Sequence, residues 1–360
     1  TSLLPIPQAG DFRRSPALAE TLRTVARQGA RAFYEGPIAA EMVAALRARG
    51  GLHTEQDFAE GLGAPEFVTP IHSAFKGYDV YQCPPNGQGL TALMILGIIE
   101  GFGPAPDGPL GLLRLHRHVE AARLAYNDRD AFIADPAQAD VPVAELLDPA
   151  YLGRLRGLIE DARALRVLPH PGGGMLPVHK DTVYLCVVDR DGNACSFINS
   201  LFESFGSAIV AERSGIILHN RGWSFRVQRG HPNCIAPGKR PLHTIIPGML
   251  MQGGKAVMPF GVMGAHFQPM GHSLVLTNLL DYGLDLQEAI DLPRLLPRNG
   301  VLQVERGIGP GLCDRLSRLG HRLEPVVRPH GGAQAIWIDR AQGRLTGASD
   351  PRKDGLALGY

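Results

Sequence analysis

A single threonine stands where a glycine-rich loop meets a predicted strand. The loop is residues 169–174, PHPGGG, and the strand, residues 182–188, opens with Thr182 directly after Asp181. We expect such a loop to be exposed and mobile. A threonine hydroxyl attacks an amide only when a base takes its proton. If the bond before Thr182 were cut, its new α-amine, with a pKa of about 7.7–8.0, would serve as that base. Most threonines that open a strand are structural, so the spacing alone leaves both roles open.

A second candidate is the glycine-rich segment 261–266, GVMGAH, which follows a predicted strand at 255–260. Small residues let the backbone approach a ligand closely, and consecutive N–H groups in a turn bind an anion. Such a turn holds the oxyanion in acyl transfer. A tight turn without a ligand is the commoner use of such residues, so both interpretations stay open. The segment lacks the G-x-G-x-x-G and G-K-[ST] patterns of nucleotide-binding loops.

The histidines and cysteines form no recognisable metal or disulfide pattern. Among thirteen histidines the closest pair is His116 and His118, and residues two apart on a helix point to different faces. The five cysteines are scattered, without a C-x-x-C pair. We therefore expect neither a metal nor an organic cofactor.

Charge and hydropathy exclude several kinds of partner. The 360 residues carry a net charge of +1, so no global field would attract nucleic acid or an anionic membrane. No apolar run reaches the length that spans a bilayer. The first ten residues show no signal-peptide pattern, but the chain also lacks an initiator methionine. The cytoplasm and the periplasm therefore both stay open as locations.

The secondary-structure elements that must position these residues are predicted to be both helices and strands. The first half of the chain predicts helices at 15–28, 37–49, 90–99 and 110–126. After residue 181 the pattern predicts strands at 182–188, 194–200, 255–260 and 334–339, and helices at 273–281, 286–290 and 309–319. This mixture indicates an α+β fold built in layers.

A series of short runs, in order along nearly the whole chain, resembles the gamma-glutamyltranspeptidase family of N-terminal-nucleophile hydrolases. The runs are YEGP at 34–37, GGL at 50–52, PPNGQG at 84–89, AYNDR at 125–129, DT at 181–182, VVDRDGNA at 187–194, FGS at 205–207, SGI at 214–216, PGKRP at 237–241, DYGL at 281–284, AIDLPR at 289–294 and ASDPR at 348–352. The resemblance favours the nucleophile role for Thr182 over the structural one.

For the architecture, the resemblance implies an αββα four-layer sandwich. It implies autocatalytic cleavage before Thr182 into residues 1–181 and 182–360, which stay together as one domain. The family carries a considerably longer segment before its nucleophile. We therefore expect a front segment of the sandwich to be missing from this chain, with exposed apolar faces where that segment would lie.

For the catalytic residues, the resemblance implies three companions of Thr182. Ser200 falls where the family has a threonine hydroxyl that supports the nucleophile. Gly264 and Ala265 fall where paired glycines supply the oxyanion-hole N–H groups. Alanine at 265 departs from the family, and we expect it to present its N–H if its backbone angles permit.

The substrate pocket departs further from the family. The positions implied for substrate binding are Asn199, Phe202, Arg221, Ser224, His243 and Thr244. Three of them, Phe202, Arg221 and Ser224, replace the Asn, Gln and acidic residue that in the family accept hydrogen bonds from the ammonium group of the glutamyl substrate. His243 and Thr244 replace the paired serines that bind its α-carboxylate. A cationic Arg221 repels an ammonium group. In this respect the chain resembles the acylase and amide-hydrolase branch. Two roles for Arg221 stay open: it could pair with a carboxylate on the acyl group, or it could be structural.

The resemblance implies hydrolysis or transfer of an acyl group from a small-molecule amide through an acyl-threonine. True γ-glutamyl transfer from glutathione-like donors is one alternative, and an inactive fragment that keeps the family's shape is another. The expected partners are the amide substrate and the other cleaved segment, without nucleic acid or membrane.

Overall fold

Our computed structural model describes residue 8, residues 10–168 and residues 181–359. The glycine-rich loop at 169–174 lies outside the described residues. The helices are α1 (Pro16–Gln28), α2 (Arg31–Tyr34), α3 (Pro37–Arg47), α4 (Glu55–Gly61), α5 (Gly89–Glu100), α6 (Leu112–Phe132), α7 (Val143–Leu146), α8 (Pro149–Gly157), α9 (Gln268–Leu280), α10 (Leu286–Asp291) and α11 (Pro310–Arg318). The strands are β1 (Ile71–Phe75), β2 (Tyr78–Gln82), β3 (Asp181–Val188), β4 (Ala194–Phe202), β5 (Val210–Ala211), β6 (Ile216–Ile217), β7 (Gly248–Gln252), β8 (Lys255–Met263), β9 (Leu295–Arg298), β10 (Val301–Val304), β11 (Leu323–Pro325), β12 (Gly332–Asp339) and β13 (Arg344–Ser349).

The chain forms two compact units. The smaller unit comprises residues 1–67 and 205–220, and the larger comprises residues 68–204 and 221–360. In the smaller unit, α1 and the segment after β5 are joined by a buried hydrogen bond from Thr21 Oγ1 to the Ser214 carbonyl, 2.9 Å long. All candidate site residues belong to the larger unit.

The centre of the larger unit is a six-stranded sheet in the order β1-β2-β7-β8-β12-β13. Every neighbouring pair of these strands is antiparallel. Since β1 and β2 precede Thr182 and the other four strands follow it, the sheet joins residues from both sides of the predicted cleavage site.

One face of the sheet is covered by α5 and α9, and α6 packs against α5. Helix α5 is apolar on every side and almost wholly buried, which is typical of a helix enclosed by other elements. Leu93 of α5 and Leu276 of α9 share one core with Met258, Phe260 and Val262 of β8. These β8 residues alternate along the strand, so their side chains point to the same face.

The opposite face of the sheet carries the β3–β4 hairpin. Tyr184 and Ile198 of the hairpin pack with Met263 of β8. Gly261 makes room for this contact, because a Cβ there would lie 2.3 Å from the Tyr184 ring. The larger unit therefore contains at least three layers, which are helices, sheet and hairpin.

The outer side of the hairpin is apolar and exposed. It consists of side chains from alternate positions of the two strands, namely Val183, Leu185, Val187, Phe197 and Leu201. Contiguous apolar patches of this kind are uncommon on free protein surfaces.

The predicted α+β composition agrees with the structure, but several boundaries were wrong. The helix predicted at 273–281 begins at Gln268, and the strand predicted at 255–260 extends to Met263. The helix predicted at 110–126 continues to Phe132. The polar run at 127–129 stays helical because its side chains find buried partners; for example, Asp128 accepts a 2.7 Å hydrogen bond from the Tyr151 hydroxyl. In the described part of the chain, no helix combines the length and apolarity needed to cross a membrane.

Candidate active site

Thr182 lies at an irregularity in the β3–β4 pairing. Asp181 is opposite Phe202 and Val183 is opposite Asn199, so two residues of β4, Ser200 and Leu201, face Thr182 alone. This is a β-bulge, a feature that redirects side chains and is frequent beside active sites. Thr182 is buried. Its Oγ1 donates a hydrogen bond to Ser200 Oγ at 3.2 Å.

The bulge also sets the conformation of Phe202. The Phe202 N–H donates to Ser200 Oγ at 2.8 Å. Phe202 has φ +79°, in the left-handed region that phenylalanine rarely adopts. Strained backbone of this kind persists where the surroundings fix it, and it concentrates at functional sites. The Ser200 hydroxyl therefore bonds both to Thr182 and to the backbone that places the Phe202 ring.

The turn after β8 presents two consecutive backbone N–H groups at the beginning of a helix. Gly264 has φ +123° and Ala265 has φ +49°. The turn leads through Phe267 into α9. Among the described residues, neither N–H donates in any hydrogen bond found. The φ of +49° places Ala265 in the left-handed region in spite of its Cβ, at a cost of about 1–2 kcal/mol. The N–H groups of a helix start are suited to an anion.

Glycine is required at 264 by close packing. A Cβ at this position would lie 2.8 Å from the Cα of Gly331. We predict that Gly264→Ala lowers the free energy of unfolding by about 1–3 kcal/mol, from overpacking and unfavourable φ. The midpoint of urea denaturation measures this loss. Gly153→Ala in α8 is the control, because its Cβ would meet nothing within 4 Å. Equal midpoints for Gly264→Ala and the wild type would contradict the close approach to Gly331.

A continuous series of contacts runs from this turn to Phe202, the residue that bonds to Ser200. Gln88 Nε2 donates to the carbonyls of Ala265, at 2.9 Å, and Thr244, at 2.8 Å. Arg221 Nη1 donates to Thr244 Oγ1 at 3.0 Å. The Arg221 guanidinium carbon lies 4.2 Å from the centroid of the Phe202 ring. Residues that are far apart in sequence therefore meet in one cluster.

Arg221 is the main charge of this cluster. It is 6% exposed and opens a short 3-10 turn that ends at Ser224. Burial lowers the pKa of Arg221 to about 9, so the guanidinium stays protonated at neutral pH. A cation stacked on the face of an aromatic ring gains about 0.5–2 kcal/mol.

The remaining predicted binding residues have different environments. Ser224 and Thr244 are buried and His243 is half-buried. The backbone of His243 pairs with the turn before α5: its N–H donates to the Asn86 carbonyl at 2.8 Å and its carbonyl accepts from Gln88 N–H at 3.0 Å. Asn199 is exposed, and alternation along β4 places it on the face opposite Ser200. The structure therefore does not bring Asn199 to the others.

Sequence reasoning missed a buried polar network behind Ala265. Arg129 Nη1 donates to Gln88 Oε1 at 3.1 Å and to His266 Nδ1 at 3.2 Å. The Tyr126 hydroxyl donates to the His266 carbonyl at 2.7 Å. Burial and the Arg129 charge hold the pKa of His266 well below its usual value, so the ring is neutral with its proton on Nε2. The runs at 84–89 and 125–129 that carry the resemblance contain Gln88, Tyr126 and Arg129, and were the available signal.

A cavity of about 460 Å³ is lined in part by His266. Its lining is rich in cationic side chains, namely Arg123, Arg129, Arg298 and Arg322. Thr182 is not among the residues that line it.

Among the described residues, one cluster has metal-ligand chemistry: His116, Glu120 and His321, all buried. His116 Nε2 donates to the Glu160 carbonyl at 2.8 Å, so its Nδ1 accepts from His321 Nε2, also at 2.8 Å. Glu120 already pairs with Arg123 at 2.7 Å. Because hydrogen bonds and an ion pair occupy these groups, we interpret the cluster as structural. His118 contacts Ser273 instead, as expected for two histidines on different helix faces.

Comparison with known proteins identifies the family. The model of the gamma-glutamyltranspeptidase family matches residues 4–360, almost the whole chain. The chain belongs to the gamma-glutamyltranspeptidase family. This confirms the resemblance drawn from the short runs and places the chain in a family of enzymes.

Several gamma-glutamyltranspeptidase relatives are similar over 98% of the chain. A glutathione hydrolase-like YwrD proenzyme of Bacillus subtilis is 38% identical and is covered over 67% of its length. An oxamate amidohydrolase proenzyme of Klebsiella pneumoniae is 37% identical, also with 67% of its length covered. Among solved structures, a cephalosporin acylase from Bacillus halodurans superposes with a TM-score of 0.89 at 37% identity, over 98% of this chain and 65% of that one. The chain spans about two thirds of the length of these relatives.

Proposed function

We propose that this chain cleaves itself before Thr182 and then hydrolyses or transfers an acyl group from a small-molecule amide. The observation that carries the proposal is the Thr182 hydroxyl, buried at the start of β3 and hydrogen-bonded to Ser200 at 3.2 Å. A contact series through Phe202, Arg221, Thr244 and Gln88 connects it to the carbonyl of Ala265. Among the described residues, the N–H groups at 264 and 265 in that turn donate in no hydrogen bond.

In the proposed reaction, the free α-amine of Thr182 accepts the proton of Oγ1 while Oγ1 attacks the amide carbonyl. The N–H groups of Gly264 and Ala265 stabilise the negative oxygen of the tetrahedral intermediate. The amine returns the proton to the departing nitrogen, which leaves an acyl ester on Thr182. Water or an acceptor amine, deprotonated by the same α-amine, attacks this ester and releases the acyl group.

The names of the relatives support this reaction type. Several are proenzymes, which agrees with processing, and they include an oxamate amidohydrolase and an acylase. Oxamate is the monoamide of oxalic acid, so one named reaction is hydrolysis of a simple amide. Other relatives are named glutathione hydrolases, at 31–32% identity, and they favour γ-glutamyl transfer as the second candidate. The buried Arg221 argues against an ammonium-bearing donor.

After the proposed cleavage, the two segments would stay together through the central sheet. Strand β2, from the first segment, pairs with β7, from the second, between Asp79 and Gln82 on one side and Gly248 and Met251 on the other. The apolar outer side of the β3–β4 hairpin supports a further layer, which would complete the four-layer sandwich.

Mass spectrometry and N-terminal sequencing of the purified protein test the cleavage. We expect two polypeptides, one of which begins at Thr182. The same sample is then given a γ-glutamyl anilide and a set of simple N-acyl and primary amides. Turnover of the simple amides supports the proposal, and turnover of the γ-glutamyl donor alone supports the second candidate. A chain that stays whole and turns over no substrate would leave the non-catalytic alternative in place.

A further inference from the structure

We propose that Gln88 is a positioning residue for the reaction: it holds Ala265 in the left-handed conformation and thereby fixes the direction of the N–H groups that bind the oxyanion. This inference rests on the proposed function, in which the turn at Gly264 and Ala265 stabilises the tetrahedral intermediate. It goes further by giving a role in turnover to a buried side chain whose hydrogen bonds all go to other groups of the protein.

The side-chain amide of Gln88 is fixed through both its nitrogen and its oxygen. Gln88 is fully buried and directly precedes α5. Its Nε2 donates to the Ala265 carbonyl at 2.9 Å and to the Thr244 carbonyl at 2.8 Å, while its Oε1 accepts from Arg129 Nη1 at 3.1 Å. A flipped amide would set its oxygen against two carbonyls and its N–H groups against a guanidinium. Only the observed orientation satisfies all three partners.

Arg129 is itself held from two sides, so it is a firm support for Gln88. Its guanidinium carbon lies 4.6 Å from the centroid of the Tyr126 ring, and its Nη2 pairs with Asp130 Oδ1 at 2.7 Å. A hydrogen bond from a charged donor is stronger than a neutral one. In a buried network it also polarises the amide, which strengthens the bonds that Nε2 donates.

Ala265 needs this support because of its backbone conformation. Its φ of +49° is disfavoured by its Cβ. The Gly264 carbonyl, which shares a peptide group with the Ala265 N–H, accepts from the Phe267 N–H at 3.0 Å. The Ala265 carbonyl, in the next peptide group, accepts from Gln88 at 2.9 Å. These two bonds fix the peptide groups on both sides of the strained Cα, and loss of Gln88 releases one of them.

The support comes from the opposite side of the predicted cleavage site. Gln88, Tyr126 and Arg129 precede Thr182, whereas the turn follows it. The Tyr126 hydroxyl adds a 2.7 Å hydrogen bond to the His266 carbonyl, one residue beyond Ala265. The first segment would therefore shape the oxyanion site of the second without supplying a reacting atom.

The first test is Gln88→Met, which keeps the length of the side chain and removes its three hydrogen bonds. We expect kcat to fall roughly 100-fold, the effect of moving a catalytic group by about 1 Å. We expect KM to change less than about threefold, because the lost interaction acts on the transition state. Turnover of the γ-glutamyl anilide and of the primary amides is measured, and each rate is divided by the amount of liberated Thr182 N-terminus.

The decisive variant is Ala265→Gly, which removes the Cβ that makes the positive φ unfavourable. In the wild-type background we expect it to change kcat less than about threefold. In the Gln88→Met background we expect it to restore kcat about 5- to 30-fold, the factor that corresponds to the cost of the left-handed conformation for alanine. If Gln88→Met stays whole, the extent of cleavage becomes the measurement, and Ala265→Gly is expected to restore it. Failure of this rescue would overturn the proposal.

The control for a general packing defect is Gln82→Met, at another buried glutamine of the first segment, whose Nε2 lies 3.1 Å from His272 Nδ1. Both methionine variants are expected to lower the urea midpoint, but Gln82→Met should keep the wild-type kcat. Equal losses of kcat in the two variants would overturn the role of Gln88, and so would a change in KM alone, which would assign the effect to Thr244. If the wild type neither cleaves nor turns over any amide, the proposed function itself is overturned.

Discussion

Replacing Thr182 with alanine is expected to leave a single polypeptide that turns over no amide. The substitution removes Oγ1, which donates to Ser200 Oγ at 3.2 Å and which we assign as the nucleophile for both cleavage and acyl transfer. Loss of a catalytic nucleophile typically lowers kcat by about 10⁴-fold or more. Denaturing electrophoresis follows the cleavage, and release of ammonia from a primary amide follows the turnover.

Two further variants show whether the effect belongs to the hydroxyl of this residue. Thr182→Ser keeps a hydroxyl at the same strand position, so we expect it to cleave and to retain part of the activity. Thr346→Ala removes a hydroxyl from an exposed position of β13 and is expected to behave as the wild type. Normal cleavage and turnover in Thr182→Ala would refute the assignment of the nucleophile.

Replacing Asp350 with asparagine is expected to lower the free energy of unfolding by about 3–5 kcal/mol, the range for breaking a buried ion pair. Asp350 is fully buried and its Oδ2 accepts from Arg294 Nη2 at 2.6 Å and from the Ala333 N–H at 2.8 Å. Asparagine keeps the shape but removes the charge, so the buried Arg294 guanidinium loses its closest counter-ion. The urea midpoint, with the slope of the transition, measures the difference.

The loss of unfolding free energy in Asp350→Asn should depend on pH. Burial alone would raise the pKa of Asp350, but the Arg294 charge and two backbone N–H donors outweigh it and hold the pKa below the usual value. A lowered folded-state pKa stabilises the fold above the unfolded value of about 3.9, and this stabilisation is lost as the pH falls below it. We therefore expect wild type and Asp350→Asn to differ fully at pH 6–7 and to converge in acid.

The control for Asp350 is Asp354→Asn, at an exposed position in the turn that follows β13. Surface substitutions of this type usually change stability by less than about 0.5 kcal/mol. A loss at Asp350 that is constant from pH 7 to pH 3 would contradict the ion-pair explanation and favour a packing defect.

This ion pair also bears on the candidate site. Arg294 Nη1 donates to the His330 carbonyl at 2.8 Å, next to Gly331, whose Cα is the close neighbour of Gly264. The network that includes Asp350 thus supports the backbone behind the proposed oxyanion-binding turn. Loss of Asp350 is expected to affect turnover at temperatures where the protein is still folded.

The sequence by itself determined the family and the position of the candidate nucleophile. Short runs of residues carry this information because each one specifies a local backbone conformation or a chemical group at a fixed place. Thr182 after a glycine-rich loop, and glycine-rich residues at 261–266 after a strand, are both readable without coordinates. The helices around residues 90–99 and 110–126 were also predicted, because their apolar residues are dense and continuous.

The tertiary structure alone decided which side chains meet at Thr182. The bulge at Ser200 and Leu201 is invisible in the sequence of β4, which reads as nine uninterrupted strand residues, yet it sets both of these residues opposite Thr182. Alternation along β4 turns Ser200 and Phe202 inward and leaves Asn199 outside. Gln88 links Thr244 and Ala265, residues more than 150 positions further along the chain. Such contacts depend on how distant elements pack, since side-chain hydrogen bonds between them have no local sequence pattern.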